Sequence, residues 1–219
     1  MSEQTLTQLA AEAARLSALG FMACTAGNVS VLLEGNPLVV GMSPSGVDKG
    51  QLKAGDFIRI GDDAKPLPPD ARKPSDEALL HLRLYQSVGC QAVCHGHLPY
   101  AVALSLDAGP TVAFRGIEMQ KAFAGTSTHA CERLLPVIDN SQDMEELARW
   151  ALAAHNPQVP AVLVRGHGVY AWGASPREAG RHLETVEWLC RLLCLVRQAG
   201  MSSTRAGSAA GSVTGSAKS

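Results

Sequence analysis

The sequence predicts a single α/β domain, and three observations point to this fold class. The chain has 219 residues, of which 46% are hydrophobic and 18% charged, so it can form a substantial core. Segments with apolar residues at helical spacing alternate with short apolar runs typical of strands. The alternation is irregular and contains no internal repeat. We therefore predict one domain over residues 1–200, followed by a flexible Gly/Ser/Ala-rich tail over residues 201–219.

Six segments carry the spacing of amphipathic helices, and most have a start or stop signal. Small polar residues favour N-caps, Pro is tolerated in the first turn, and Gly often ends a helix. The predicted helices are residues 5–20, 75–88, 99–106, 116–125, 141–155 and 175–200. The first and fourth end at Gly20 and Gly125, the second has Ser75 as N-cap, the third has Pro99 in its first turn, and the fifth is capped by Asn140 or Ser141. The last opens with a capping box of Ser175, Pro176 and Glu178 and ends at Gly200.

Short runs rich in Val, Leu and Ile between turn residues predict the strands. Residues 161–173 read as one strand that turns at 166–168 and a second that returns. The other predicted strands are residues 29–34 and 37–43 around a Gly-Asn-Pro turn, 56–60, 91–97 and 133–138.

Composition excludes several classes of function. The formal net charge is −1, so the chain lacks the basic surface that nucleic-acid binding requires. No apolar run reaches the roughly 18 residues of a membrane helix, and the N-terminus does not resemble a secretory signal. Six cysteines without an export signal are typical of reduced thiols. We expect a cytoplasmic protein that binds neither nucleic acid nor membrane, with all six cysteines as small apolar core residues.

The segment "QAVCHGH" indicates a metal site. Side chains two apart on a strand point to the same face, so His95 and His97 present two imidazoles together. His167 lies between two glycines in "RGHGV", where the backbone can turn sharply, and it is the best third ligand. Three histidines with one open position are typical of catalytic zinc. For the pair alone, hydrogen-bonded core histidines are an equally good interpretation, and His182 is expected on an exposed helix face.

Three polar loops could bind an anion. "TAGN" and "SPSG" combine small polar side chains with exposed backbone N–H groups, and "KPSDE" opens a helix, where the dipole favours negative charge. Taken singly, each loop is more often a plain turn or cap. Taken together, they predict a phosphate site.

In this order, "TAGNVSV", "SPSGVDKG", "RKPSDEALLHLRLY", "AVCHGH", "GIEMQKAFAG" and "VRGHGVYAWG" resemble the class II aldolase/adducin family. The resemblance runs from about residue 5 to residue 200. It is strongest to a branch that dehydrates a methylthio-substituted ketose 1-phosphate in methionine salvage. The alternative within the family is an aldolase or epimerase acting on a short sugar phosphate.

The resemblance implies a central, mainly antiparallel sheet flanked by helices, assembled as a homotetramer with a small sugar phosphate as substrate. It implies one Zn²⁺ per subunit, held by His95, His97 and His167. The residues that match the phosphate-binding loops of the family are Thr25, Gly27, Asn28, Ser43, Ser45, Gly46 and Ser75.

Two positions depart from the family pattern. Gly96 stands where a hydroxyl residue is usual between the paired histidines, which weakens the strand and removes a possible polar contact. Ala26 stands where the first loop usually has serine, so one hydrogen bond to phosphate is expected to be missing.

Two carboxylates could move protons. The resemblance implies Glu118 as the acid/base of the dehydratase branch and Glu77 as that of the aldolases. We expect the Glu118 carboxylate to be buried beside the metal, facing the substrate. The simpler interpretations are an exposed i,i+3 pair of Glu118 with Lys121, and a residue in the first turn of a helix for Glu77. A third hypothesis is a non-catalytic scaffold, against which the three retained histidines argue.

Overall fold

Five α-helices and eight β-strands make up residues 2–200, which are the residues that this computed structural model describes. The predicted tail lies outside them. The helices are α1 (Ser2–Ala18), α2 (Ala78–Val88), α3 (Pro99–Ser105), α4 (Met144–Ala153) and α5 (Pro176–Gln198). The strands are β1 (Asn28–Gly35), β2 (Leu38–Met42), β3 (Ile58–Ile60), β4 (Ala92–Gly96), β5 (Thr111–Arg115), β6 (Glu132–Ile138), β7 (Ala161–Val164) and β8 (Gly168–Gly173).

The strands form one sheet in the order β3-β2-β1-β4-β8-β7-β6-β5. Only the pairing of β6 with β7 is parallel; every other neighbouring pair of described strands is antiparallel. Strand β4 lies at the centre, where Asn28 of β1 is opposite His95 and Val169 of β8 is opposite Gly96. This arrangement confirms the predicted mainly antiparallel sheet flanked by helices.

Each face of the sheet carries its own apolar core. Helices α1, α3 and α5 cover one face, while α2 and α4 pack together on the other. Because strand side chains alternate, Ala92 and Cys94 enter the first core and Val93 enters the second. His95 lies two residues after Val93 and points to the same face, so its imidazole lies on the α2 side of β4, stacked on Tyr170.

Several predicted helix ends are wrong. Ser75 does not cap α2, which begins three residues later with Glu77 at its N-cap. Helix α4 is capped by Asp143, whose carboxylate accepts from the N–H groups of Glu145 and Glu146. Residues 116–125 contain only a five-residue 3₁₀ turn, Glu118–Ala122. Strand β5 was not predicted, because its sequence "TVAFR" is short and lies between turns. The Ser175 cap and Pro176 start of α5 are confirmed.

Two predictions about burial are also wrong. His182 is only 2% exposed and its Nδ1 lies 2.7 Å from the carbonyl oxygen of Trp172. Of the six cysteines, which are all unpaired, Cys24 is exposed and Cys131 and Cys194 are partly exposed. The remaining three belong to the core, as expected. Among the described helices, none is long and apolar enough to cross a membrane.

Candidate metal centre and active site

The three predicted histidines meet at one end of β4. His95 is on the strand, His97 follows its last residue, and His167 lies in the turn between β7 and β8. The ring centroids are 5.0 Å apart for His95 and His97, 4.8 Å for His95 and His167, and 4.9 Å for His97 and His167. One nitrogen from each ring lies within 4.8 Å of the others, and no cysteine joins the group in the described chain.

The hydrogen bonding of these rings fits a cation. His95 Nδ1 lies 3.0 Å from the carbonyl oxygen of Val169, so it carries the proton and leaves the Nε2 lone pair free. His95 Nε2 and His167 Nδ1 are buried without a hydrogen-bond partner in the described residues. Burial lowers the pKa of His95 to about 4, so this imidazole is neutral near pH 7. Neutral imidazoles with unused buried nitrogens are the donor set of zinc and related cations.

Glycines let the backbone segments around the histidines approach closely. Gly166 adopts a φ of +66°, which places His167 at the tip of the turn. A Cβ on Gly96 would lie 3.1 Å from both the Phe21 carbonyl oxygen and a methyl of Leu183. The glycine between the paired histidines therefore suits the tight packing of this strand, which gives its departure from the family pattern a structural reason.

Glu77 is the carboxylate that the fold brings to the histidines. Its Oε1 lies 3.1 Å from His167 Nε2 and its Oε2 lies 3.5 Å from His95 Nε2. Asn28 donates hydrogen bonds to Glu77 Oε2 and to Ser75 Oγ, and so connects β1 to the start of α2. Burial opposes the charge of Glu77, but His95, His167 and Asn28 outweigh it and hold its pKa below the usual range.

Glu118 lies in different surroundings. It begins the 3₁₀ turn after β5, and its side chain is 68% exposed. The carboxylate pairs with Lys121 at 2.6 Å and lies 3.4 Å from His129 Nδ1. Glu118 does not line the cavity beside the histidines in the described chain. The expected burial beside the metal is therefore wrong for this single chain, and its catalytic role stays a prediction.

The predicted anion loops surround a cavity of about 210 Å³ that opens onto the histidines. Ser43 is the exception: it is fully buried and its Oγ accepts a hydrogen bond from the Val29 N–H, so it supports β1 instead. The other predicted phosphate residues all line the cavity, together with Glu77, His97 and His167; they are Thr25, Gly27, Asn28, Ser45, Gly46 and Ser75. Larger grooves of about 630 and 640 Å³ lie elsewhere, away from the histidine cluster.

Sequence reasoning missed three groups around this site. Lys49 lines the cavity although it is only 2% exposed. Tyr170 is fully buried and stacks on His95 with ring centroids 4.0 Å apart. Behind it, Ser30 Oγ lies 2.7 Å from both His81 Nδ1 and the Tyr85 hydroxyl. The alternation of β1 could have placed Ser30 on the His95 face, but the side chains that it meets come from α2.

The fold and this site define a class of protein. The family model of the class II aldolase and adducin N-terminal domain matches residues 7–194, so the chain belongs to that family, as the motifs predicted. The structure is similar to the L-fuculose-1-phosphate aldolase of Thermus thermophilus, with a TM-score of 0.73 and 25% identity over 91% of this chain and 98% of that one.

Closer sequence relatives are dehydratases. The chain is 40% identical to the methylthioribulose-1-phosphate dehydratase of Pectobacterium atrosepticum, over 85% of this chain and 91% of the relative. It is 38% identical to the enzyme of the same name from Acidiphilium cryptum, over 85% of this chain and 88% of the relative.

Proposed function

We propose that the chain is a lyase that removes water from methylthioribulose 1-phosphate and yields 2,3-diketo-5-methylthiopentyl 1-phosphate. One observation carries this proposal: the three histidines cluster beside Glu77, and Glu77, His97 and His167 share one cavity with three anion-type loops. The dehydratase relatives support the substrate, because the chain matches them over most of both lengths.

The metal we propose is Zn²⁺, held by His95, His97 and His167. When bound, it would polarise the ketone oxygen of the substrate and stabilise negative charge developing there. The protein prepares this site through Val169, whose carbonyl fixes the tautomer of His95, and through Tyr170, which stacks on the same ring. Because the three rings come from β4 and a tight turn, their positions are set before any ligand arrives.

Dehydration needs one group to take a proton and one to give a proton. The C3–H bond breaks first; its electron pair forms a C2=C3 double bond, and the carbonyl electron pair moves onto the C2 oxygen. The C4–O bond then breaks as its hydroxyl receives a proton and leaves as water. Loss of water restores the C2 ketone and leaves a C3=C4 enol, which takes up a proton at C4 and releases the proton of its C3 hydroxyl to become the second ketone. We propose that Glu77, next to the histidines, removes the C3 proton and that Glu118 protonates the C4 hydroxyl.

Glu118 can serve only if its carboxylate leaves Lys121 or reaches a neighbouring site in an assembly. Its exposure is compatible with either, and hydrogen bonds to substrate often tighten only in the complex. We propose the homotetramer that the family resemblance implies. Trp188 and Leu195 on α5 remain 43% and 46% exposed in the single chain, so they are available for such contacts. Methionine salvage as pathway and the cytoplasm as compartment complete the proposal; six unpaired cysteines support the latter.

The second candidate is an aldolase acting on a short sugar phosphate. The position of Glu77 favours it, because an aldolase needs only one carboxylate beside the histidines, and an aldolase has the same fold.

A direct assay separates the two functions. Purified zinc-loaded protein is incubated with methylthioribulose 1-phosphate and, separately, with L-fuculose 1-phosphate. We expect a diketone and no carbon–carbon cleavage from the first substrate, and no turnover of the second. Cleavage products from either substrate would replace the dehydratase by the aldolase, and metal-free protein after zinc loading would exclude both.

A further inference from the structure

Lys49 is a buried lysine that forms no ion pair within residues 2–200. It begins a 3₁₀ turn (Lys49–Gln51) just after the "SPSG" loop and is only 2% exposed. Its Nζ donates to the carbonyl oxygens of Thr25 at 2.7 Å and Val47 at 2.9 Å. Among the described residues no carboxylate forms an ion pair with it, and Asp48 and Glu77 act on its charge only from a distance.

A buried cation without a counter-ion is costly, since its lost hydration is only partly replaced by neutral carbonyl groups. The ammonium has three N–H donors, and two of them have acceptors in the described chain. The third is available to a ligand, because Lys49 lines the cavity of about 210 Å³. It is the only Lys or Arg among the described residues that line that cavity.

Of the two carbonyls that hold Lys49, that of Thr25 belongs to the first anion loop and that of Val47 directly follows the second. Cys24 and Thr25 adopt φ values of 54° and 68°, in the left-handed region that is uncommon for residues with a Cβ and especially for a β-branched one. In this conformation the Thr25 carbonyl accepts from Lys49. The lysine thus links the first loop to the second while its charge stays beside the space that they enclose.

We propose that Lys49 is a substrate-binding residue whose ammonium pairs with the phosphate dianion of a sugar phosphate in this cavity. The inference rests on the proposed function in that the ligand is a phosphate monoester. The backbone N–H groups and small hydroxyls of the loops supply neutral hydrogen bonds, and Lys49 supplies the compensating charge.

Binding of inorganic phosphate to the zinc-loaded full-length protein tests the proposal by titration calorimetry. Lys49→Met keeps the apolar stem and removes the charge. Lys49→Gln removes the charge but keeps two N–H donors, which are enough for the two carbonyls. We expect the phosphate dissociation constant to rise about 10- to 100-fold in both, the range of one charge-assisted hydrogen bond, and to change little in Lys49→Arg.

Lys65→Met is the matched control, because that side chain is 79% exposed; it should bind phosphate like the wild type. Melting temperature and zinc content without phosphate check that each variant is folded. If Lys49→Met does not fold, the phosphate dissociation constants of Lys49→Gln and Lys49→Arg are compared instead. Retained phosphate affinity in Lys49→Gln would mean that the lysine only ties the loops together, and would overturn the proposal.

The phosphate titration does not depend on the reaction. A wild type that fails to turn over methylthioribulose 1-phosphate would sink the proposed function, yet the comparison of phosphate affinities would still decide the role of Lys49. Conversely, normal turnover with unchanged phosphate affinity in the variants would overturn only the role of Lys49.

Discussion

Two regions of the molecule each offer a glutamate for proton transfer, and their surroundings are opposite. In the Glu77 corner (Asn28, Glu77, His95, His97 and His167) the carboxylate is largely buried and faces two imidazoles. In the Glu118 segment (residues 116–125) the carboxylate is exposed and paired with Lys121. The sequence predicted Glu118 beside the metal and made no prediction about the burial of Glu77.

The difference shows what a motif can and cannot specify. The motif around Glu118 identifies a residue type, but the reactivity of a carboxylate depends on desolvation and on the charges near it. Solvent screens the ion pair of Glu118, so its contribution to stability is small. The Glu77 corner has the burial and the charge partners that functional carboxylates usually have. Four experiments test this contrast, and they follow in order of decreasing expected effect.

Replacing one histidine of the Glu77 corner, and separately the histidine that contacts Glu118, should have clearly different effects on zinc binding. His97→Ala removes one of three proposed ligands, and we expect loss of zinc together with nearly all activity. His129→Ala removes the imidazole near Glu118 and should keep stoichiometric zinc. Elemental analysis of the purified variants measures the metal. A His97→Ala protein that retains full zinc and turnover would show that the histidine cluster is not the metal site.

Glu77→Gln should lower turnover by roughly two to four orders of magnitude, the usual contribution of a general acid or base. The amide is nearly isosteric but cannot accept a proton. Since the charge also faces His95 and His167, zinc affinity should fall as well. Steady-state kinetics at saturating zinc isolates the catalytic part. Glu145→Gln is the control, because Glu145 lies on exposed α4 surface and pairs with Arg83; equal losses in both variants would contradict a specific role for Glu77.

Glu118→Gln tests whether the second region joins the reaction. If Glu118 protonates the leaving hydroxyl, turnover should fall by about 100-fold or more while zinc content and melting temperature stay unchanged. Lys121→Met removes its salt-bridge partner without touching the carboxylate and should leave turnover near the wild-type value. Unchanged turnover in Glu118→Gln would instead confine that segment to a structural role and favour the aldolase mechanism.

The fold was largely predictable because it depends on local patterns. Alternation and turn residues located seven of the eight described strands, and capping residues located α5. The wrong predictions concern helix ends and short helices, where several local interactions compete. Asp143 displaces Asn140 and Ser141 as the cap of α4, and residues 116–125 take a 3₁₀ turn because only Gln120 among Glu118–Ala122 is buried to hold a longer helix in place.

The site was predictable where its geometry is local. His95 and His97 are joined by strand periodicity, and glycines mark the turn at His167. The approach of Glu77 to these rings depends on Asn28 lying opposite His95 across β1 and β4, a register that no short motif contains. Lys49 was missed for the same reason: a lysine at a turn is usually exposed, and only the tertiary fold buries it against Thr25.

The smallest predicted effect concerns folding behind the Glu77 corner. Burial lowers the pKa of His81 to about 3, from an ordinary value near 6.5, although the charge of Glu77 partly opposes this. Between these values the unfolded chain binds a proton that the folded chain does not. Stability contributed by the neutral His81 is therefore complete above about pH 6.5 and is lost as pH falls towards 3. The loss from this residue between pH 7 and pH 5 should be about 2 kcal/mol.

Urea denaturation of metal-free protein at both pH values measures this loss of stability, and His81→Gln is expected to show a smaller drop than the wild type. His129→Gln, whose imidazole is largely exposed, should show the wild-type drop. If the free energy of unfolding depends on pH equally in the wild type and in His81→Gln, the buried histidine takes up its proton in the folded state as readily as in the unfolded state. The polar contacts behind the Glu77 corner would then accommodate a charge as readily as the exposed surface of the Glu118 segment does.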